Sequence, residues 1–577
     1  MIGAKLLLLI ILPLISGILV LLIGKRFRGV KEGLTLIITA INLFLAVAFF
    51  NTNINYILPW ASFGMDFSLR LYNFNSFIIL AVSFFAFLIS LYSVVFMYQK
   101  KNLNHFYAYL LISIGLINGA VLADNLLLML FFWEGLLLTL FGLIAIGGKQ
   151  AFKTATKAFI IVGISDLCMM IGIGITAYLA KTLTISQINL PVNALGGLAF
   201  IFLMIGAISK AGSMPFHSWI PDAAKDAPLP FMSLFPAALE KLLGIYFLVR
   251  ISLDMFKLQA GSWASLMLMI IGSITILLAV MMALIQKDYK RLLSYHAISQ
   301  VGYMILGIGT CLPIGIIGGL FHMINNALYK SCLFLTGGAV EKQSGTTNLE
   351  NLGGLWRKMP VTFICFLITA ASISGVPPFN GFFSKELIFD AALERGVIFY
   401  VVAVLGSFLT AASFLKLGHS AFLGKLSDEN KKVKEVKWPM LVPMIIIASV
   451  CILFGLRNDI AISKFIQPAL GAGAEAHNFS GWPSNLTLVV ISILVLIAAF
   501  LHHIFGAKLR GGALHAADDI RYSPILSGVY NKAEKDLLDP YEIGLKVTSI
   551  ISRILYWFDR RIDWIYDSFS VGFSNTF

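Results

Sequence analysis

Apolar runs of about 20 residues recur from one end of this chain to the other, and each is long enough to cross roughly 30 Å of hydrocarbon as a helix. Of the 577 residues, 58% are hydrophobic and 12% charged, against about 25% charged in soluble domains. A bilayer offers no water to unpaired amides, so each run must satisfy its own backbone and becomes a helix. Fifteen spans are predicted between residues 6–24 and 485–505, including 126–147, 196–213, 229–250, 315–340 and 361–390. The run Leu6 to Gly24 is too long for a signal-peptide core and has its basic flank behind it, so it reads as a retained span.

The net charge of +14 does not point to nucleic acid, because most basic residues sit in short loops between spans. Odd-numbered loops carry roughly 21 Lys/Arg and even-numbered ones roughly 7, beginning with Lys25, Arg26, Arg28 and Lys31 and ending with the Lys425–Lys437 cluster. That bias predicts a multi-pass protein of the cell's inner (plasma) membrane, N-terminus outside and odd loops cytoplasmic. Cys168, Cys311, Cys332, Cys365 and Cys451 stand singly within apolar runs. No CxxC or Cys/His pairing is present, so neither a zinc site nor an iron–sulfur cluster is encoded. Nor is there a dinucleotide glycine fingerprint or a haem signature. No cofactor, no metal and no catalytic centre are therefore expected in this chain.

Beyond the last span, residues 506–541 are polar. Over 542–566, Ile543, Val547, Ile550, Ile554, Phe558 and Ile565 alternate with Lys546, Arg553, Asp559, Arg560, Arg561 and Asp563. This predicts an amphipathic helix on the membrane surface or against a partner. Four segments follow: 1–100, N-terminal spans; 101–425, the core; 426–505, C-terminal spans; and 506–577, a polar connector with a docking helix.

The informative residues are ionisable groups inside apolar runs, each costing a few kcal/mol or more in hydrocarbon. Glu134 follows Leu126–Trp133. Lys210 ends an apolar run and is followed by Gly212, Pro215 and Pro221, which must break the helix. Glu240 and Lys241 interrupt the eighth span. His322, Asn326 and Lys330 fall at i, i+4 and i+8, one polar stripe on the eleventh helix. Lys385 follows a second break at Pro377, Pro378 and Gly381. A single Lys–Glu pair could simply lock two helices; several such sites together point to a polar path. Burial lowers a lysine's pKa from about 10.4 towards neutrality, and a nearby carboxylate raises it again. A lysine whose carboxylate partner approaches and withdraws therefore takes up and releases a proton. Two interrupted helices, each with a lysine, with Met214-Pro215-Phe216 echoing Pro377-Pro378-Phe379, suggest an inverted-repeat transporter.

Here a family becomes visible. Gly206-Ala207-Ile208-Ser209-Lys210 through Met214-Pro215-Phe216-His217-Ser218-Trp219-Ile220-Pro221-Asp222-Ala223 resembles the broken-helix signature of the large antiporter-like subunits of complex I. Asp288–Tyr295, Ile298–Met304, Phe321-His322 to Lys330, Gly353-Gly354-Leu355 and Gly381-Phe382-Phe383-Ser384-Lys385 resemble further blocks of that family, over roughly residues 100–456. The resemblance implies an all-α polytopic fold of fourteen core helices with inverted five-helix repeats over spans 4–8 and 9–13. It also implies two broken helices, about one extra C-terminal span and a C-terminal amphipathic helix. It assigns proton (or Na⁺) translocation, with Glu134 and Lys210 as the gating pair, Lys330 as a central relay and Lys385 as the distal lysine. His322, Glu240 and Lys241 complete the path.

The sequence departs from many relatives in having Pro236 and Asn326 where they carry His, and in lacking an arginine near Asp166, which moves weight onto Glu240 and Lys241. Pro230–Met232 and Leu239–Tyr246 are most similar to the large antiporter-like subunit of energy-converting NiFe hydrogenases. That resemblance implies a redox-driven pump with other membrane subunits as neighbours, NiFe or Fe–S centres on partner subunits, and lipid around it. The alternatives are a subunit of NADH- or ferredoxin–quinone complex I, and a stand-alone Mrp-type cation/proton antiporter module. A quinone-binding subunit would need a lipid-accessible cavity that sequence does not reveal.

Overall fold

The computed structural model describes residues 3–24, 27, 29–61, 65–470 and 482–576; Lys25, Arg26 and Arg28 lie outside them. The chain divides into two compact units, 1–519 and 520–577.

The first unit opens with α1 (Leu6–Leu22) and α2 (Val30–Ala48). Where a plain loop is expected, β1 (Ile54–Ala61) and β2 (Met65–Leu71) form an antiparallel hairpin, paired from Ile54↔Leu71 to Ala61↔Met65 with a bulge at Pro59/Ala61. The alternation Met65, Phe67, Leu69, Leu71 is the period-two signal of a half-buried strand, and Leu69 and Leu71 are buried. There follow α3 (Asn73–Phe96), α4 (Leu103–Leu122), α5 (Leu126–Ala145), α6 (Lys149–Ala180) and α7 (Ala194–Ala211). A short α8 (Trp219–Asp226) leads into α9 (Leu229–Met255), then α10 (Trp263–Ile285), α11 (Tyr289–Gly309) and α12 (Pro313–Ser344). The unit ends with α13 (Pro360–Ser374), α14 (Asn380–Arg395), α15 (Val397–Leu423), α16 (Trp438–Leu456), α17 (458–470) and α18 (Leu486–Leu509).

Among the described residues, twelve helices are long and apolar enough to cross a membrane, and the chain is a multi-pass membrane protein. The long α11 and α12 are not among the twelve; polar residues interrupt them, and they lie buried at the centre. α13 and α14 are the two halves of the predicted span 361–390.

Loop-to-loop hydrogen bonds define two ends of the bundle. The hairpin end is tied by Asp124 N to Ser68 O (2.9 Å), Leu126 N to Leu183 O (2.9 Å) and Leu190 N to Met255 O (2.9 Å). The start of α10 and the end of α14 join it through Arg395 Nη2 donating to Ser265 Oγ at 3.4 Å. The opposite, lysine-rich end is tied by Tyr289 N to Thr347 O (2.9 Å) and by Glu435, which accepts from Val361 N and Thr362 N at the start of α13.

Both predicted breaks are real, and they share one motif. After α7, Gly212 (φ +83°) has its N–H on Ser209 O and Ser213 N–H on Ile208 O; after α13, Gly375 (φ +82°) has its N–H on Ser372 O and Val376 N–H on Ala371 O. This is the Schellman closure, which needs the left-handed residue that glycine supplies without strain. Each glycine is followed by a cis X–Pro bond, Met214–Pro215 and Pro377–Pro378.

The second unit contains α19 (Pro524–Glu534) and α20 (Pro540–Thr576). At 37 residues, α20 is roughly 55 Å long. It extends the helix expected over 542–566 at both ends.

Candidate functional site

Lys210, on the last turn of α7, is 3% exposed and stands 3.6 Å from Asp166 Oδ2 on α6. Asp166 accepts from Trp133 Nε1 on α5 at 2.8 Å, and the Lys210 ammonium lies 4.9 Å from the centroid of that indole ring. The carboxylate at ion-pair distance from Lys210 is thus Asp166. Glu134, expected in that place, is half-buried one position beyond Trp133, outside the pair but within charge–charge reach of both partners.

Next comes α9, whose backbone widens into a π-helical turn over Phe235–Leu239. Pro236 inside it cannot donate to the ladder, and Asn326 Nδ2 donates to the Ala237 carbonyl at 3.3 Å. Such bulges re-aim the residues behind them, here Glu240 and Lys241. Glu240 is 6% exposed and within electrostatic reach of Lys210, Lys241 and Asp166. Lys241 is fully buried and donates to Ala211 O at 3.1 Å, a carbonyl left free by the break after α7.

On α12 the predicted stripe His322, Asn326, Lys330 is wholly buried. Lys330 Nζ has no hydrogen-bond partner among the described residues; it lies 5.4 Å from the Phe414 ring centroid and within charge reach of Lys241 and Lys385. His322 sits in a small relay: Nδ1 to Ser384 Oγ at 3.0 Å, Nε2 to Gln300 Oε1 at 3.0 Å, and Tyr329 OH to Gln300 Oε1 at 3.2 Å. Ser384 is the neighbour of Lys385, whose ammonium donates to Ile373 O at 2.8 Å and Ser407 Oγ at 3.2 Å and faces the Tyr303 ring at 5.4 Å.

The groups therefore form one succession through the middle of the bundle. It runs Asp166–Lys210, Glu240–Lys241, Lys330, then Lys385, with His322 joined through Ser384. Neighbouring members sense one another's charge, so a proton gained by one biases the next. At both breaks an ammonium caps a freed carbonyl, Lys241 on Ala211 O and Lys385 on Ile373 O. In the first half the capping lysine is on α9, beyond α8, and Lys210 precedes the break, whereas Lys385 is on α14 directly after its break, so the two broken-helix lysines do not occupy matching places.

A family model described as NADH:quinone oxidoreductase/Mrp antiporter, TM matches residues 123–410, the stretch that holds every residue of this succession. Na⁺/H⁺ antiporter subunit A1 of Staphylococcus aureus (strain Newman) is 30% identical over 555 residues, covering 88% of this chain and 69% of the relative. The chain belongs to the NADH:quinone oxidoreductase/Mrp antiporter family. The family fold is recovered in solved structures. The Mrp complex from Dietzia sp. DQ12-45-1b aligns with TM-score 0.75 at 20% identity, over 83% of this chain and 99% of that one. The membrane-bound sulfane sulfur reductase, an archaeal respiratory membrane complex, aligns with TM-score 0.72 at 25% identity, over 86% and 84%.

Within this family member, sequence reasoning passed over Asp166, a carboxylate inside an apolar run by the same criterion that singled out Glu134. It also passed over His296, buried on α11 with Nε2 2.8 Å from Ser413 Oγ, and over Gln300. Lys416, on α15, donates to Gln286 O at 2.9 Å and to Leu284 O. The rings of Trp133, Phe414 and Tyr303 beside three lysines carried no linear signal, because each comes from a different helix.

Proposed function

We propose that this chain is the proton-translocating membrane subunit of a multi-subunit complex, passing protons along Glu134, Lys210, Glu240, Lys241, His322, Lys330 and Lys385. The observation that carries the reading is the unbroken succession of buried ionisable groups between the two helix breaks, where a merely structural chain would place apolar side chains or closed ion pairs. On this reading 101–425 is the translocating core, 1–100 and 426–505 flank it, and 506–577 connect and dock. The chain's chemistry is proton transfer between side chains; any redox chemistry belongs to partner subunits.

Two driving reactions have support. A redox-driven complex, an energy-converting hydrogenase in particular, is favoured by Pro230–Met232 and Leu239–Tyr246 and by the likeness to a respiratory sulfane sulfur reductase. Cation/proton antiport is favoured by the identity to Na⁺/H⁺ antiporter subunit A1, and it fits the family evidence at least as well. Purification through a tag on this chain, with mass spectrometry of the co-purifying subunits, separates the two. So does the pH gradient in inside-out vesicles, formed on adding an electron donor in one case and dissipated by Na⁺ in the other. In assembled complexes Lys210→Ala and Glu134→Gln should lower proton movement. Full transport in both would leave a structural role only.

A further inference from the structure

Lys385, the last member of the succession, lies ten residues, or just under three turns, before the end of α14 at Arg395 on the hairpin end, and the succession supplies no group between it and that surface. α14 itself continues there. Beyond Lys385 it carries Glu386, Asp390 and Glu394 at i, i+4 and i+8, one stripe of the helix with about 6 Å between successive residues. Their exposure rises along the way: Glu386 is 3% exposed, Asp390 part-buried and Glu394 exposed.

Glu386 is not simply an internal tie. One carboxyl oxygen accepts from Ser492 Oγ on α18 at 2.5 Å, while Oε2 has no hydrogen-bond partner among the described residues. Tyr400, on α15, is 9% exposed, and its phenol oxygen also has no hydrogen-bond partner there. It lies within charge reach of Glu386, and its ring packs on Phe389 with centroids 6.1 Å apart. Lys385 and Asp390 act on Glu386 from either side along α14. A carboxyl held for structure alone would have both oxygens satisfied, since a buried unsatisfied acceptor costs about 1–3 kcal/mol. Ile388, Phe389 and Ala392 of the same helix pack into one apolar cluster with Leu488 and Tyr303.

We propose that Glu386, Asp390 and Glu394 form the outlet through which a proton leaves Lys385 for the hairpin face. The inference rests on the ion-translocation reading. The Lys385 ammonium gives its proton to the Glu386 carboxylate, leaving a neutral amine and a carboxylic acid. The acid passes the proton to Asp390 and is again a carboxylate. Asp390 hands it to water at Glu394, and Lys385 is recharged from within the bundle. Ser492, which donates to one oxygen of Glu386, positions it between the two transfers.

The test uses the tagged complex, checked for assembly and reconstituted into liposomes carrying an internal pH dye. Glu386→Gln should lower proton translocation about tenfold or more, Asp390→Asn should lower it less, and Glu386→Asp should restore part of the loss. Lys210→Ala serves as the reference. Full-rate Glu386→Gln beside an inactive Lys210→Ala overturns the outlet and leaves the translocation reading standing; full rate in both overturns both. Should Glu386→Gln fail to assemble, carbodiimide labelling of the unmodified complex decides. Modification of Glu386 or Asp390 that fades at alkaline pH supports the outlet, and an unmodified 386–394 peptide overturns it.

Discussion

Four neighbours act on the Lys210 ammonium: the Asp166 carboxylate at 3.6 Å, the Trp133 ring at 4.9 Å and, at longer range, Glu134 and Glu240. Removing one partner of a buried pair leaves the other uncompensated, at about 3–5 kcal/mol, whereas replacing both is often neutral. Lys210→Met should therefore destabilise the complex, and Asp166→Asn with Lys210→Met should recover much of its thermal midpoint. Transport should stay lost in the double variant, because the proton carrier is gone. A double variant that regained both would reduce the pair to a helix lock. Glu134→Gln, at a half-buried position, should cost little stability and act on transport alone. The need for an acid near Lys210 was legible in the sequence, but not which acid. Glu134 and Asp166 both interrupt apolar runs, and only the packing of α5, α6 and α7 decides that one closes on the lysine while the other stays half-exposed.

At the level of elements, the broken helices were legible because glycine and proline have local consequences that no tertiary context removes. The hairpin was not, since two strands of seven and eight residues between spans give a short alternation easily taken for a loop. The π turn in α9 was hidden for another reason: Pro236 announces a fault in the helix but not its form. How α9 reaches the first break is also a packing fact. A methyl placed on Gly244 would stand 2.5 Å from Ala211 N and 2.7 Å from Ala207 O, so α9 touches the backbone of α7 there. That contact carries Lys241 to the Ala211 carbonyl. Gly244→Val should push the helices apart and cost about 1–3 kcal/mol by overpacking, seen as a lower midpoint in thermal size-exclusion. Transport should fall with it. Gly528→Val, where a methyl would meet nothing within 4 Å, should leave both readings unchanged.

For the whole molecule, the Lys/Arg bias predicts that the lysine-rich end faces the cytoplasm and the hairpin end the outside. Cysteines introduced at Lys432 and Asp66 test this in a background lacking Cys168 and Cys311, the two native thiols that are not fully buried. The Asp66→Cys protein should react with an external impermeant thiol reagent and the Lys432→Cys protein should not; the reverse pattern inverts the molecule. The C-terminal unit poses a different question. Residues 520–577 form a compact unit of their own, and the exposed side chains of α20 include Ile550, Ile554, Trp557, Trp564 and Phe569 beside Arg553, Arg560 and Arg561. So much apolar surface on one helix is a contact waiting for lipid or for another subunit. A cut at 501 would sever α18 and remove His503, whose Nε2 lies 3.0 Å from His419 Nδ1 on α15; a cut after Asp519 spares both. The chain ending at Asp519 should keep the thermal midpoint of its membrane body while fewer neighbouring subunits co-purify with it. Normal co-purification with unchanged transport would assign the helix to the membrane surface and remove the docking role.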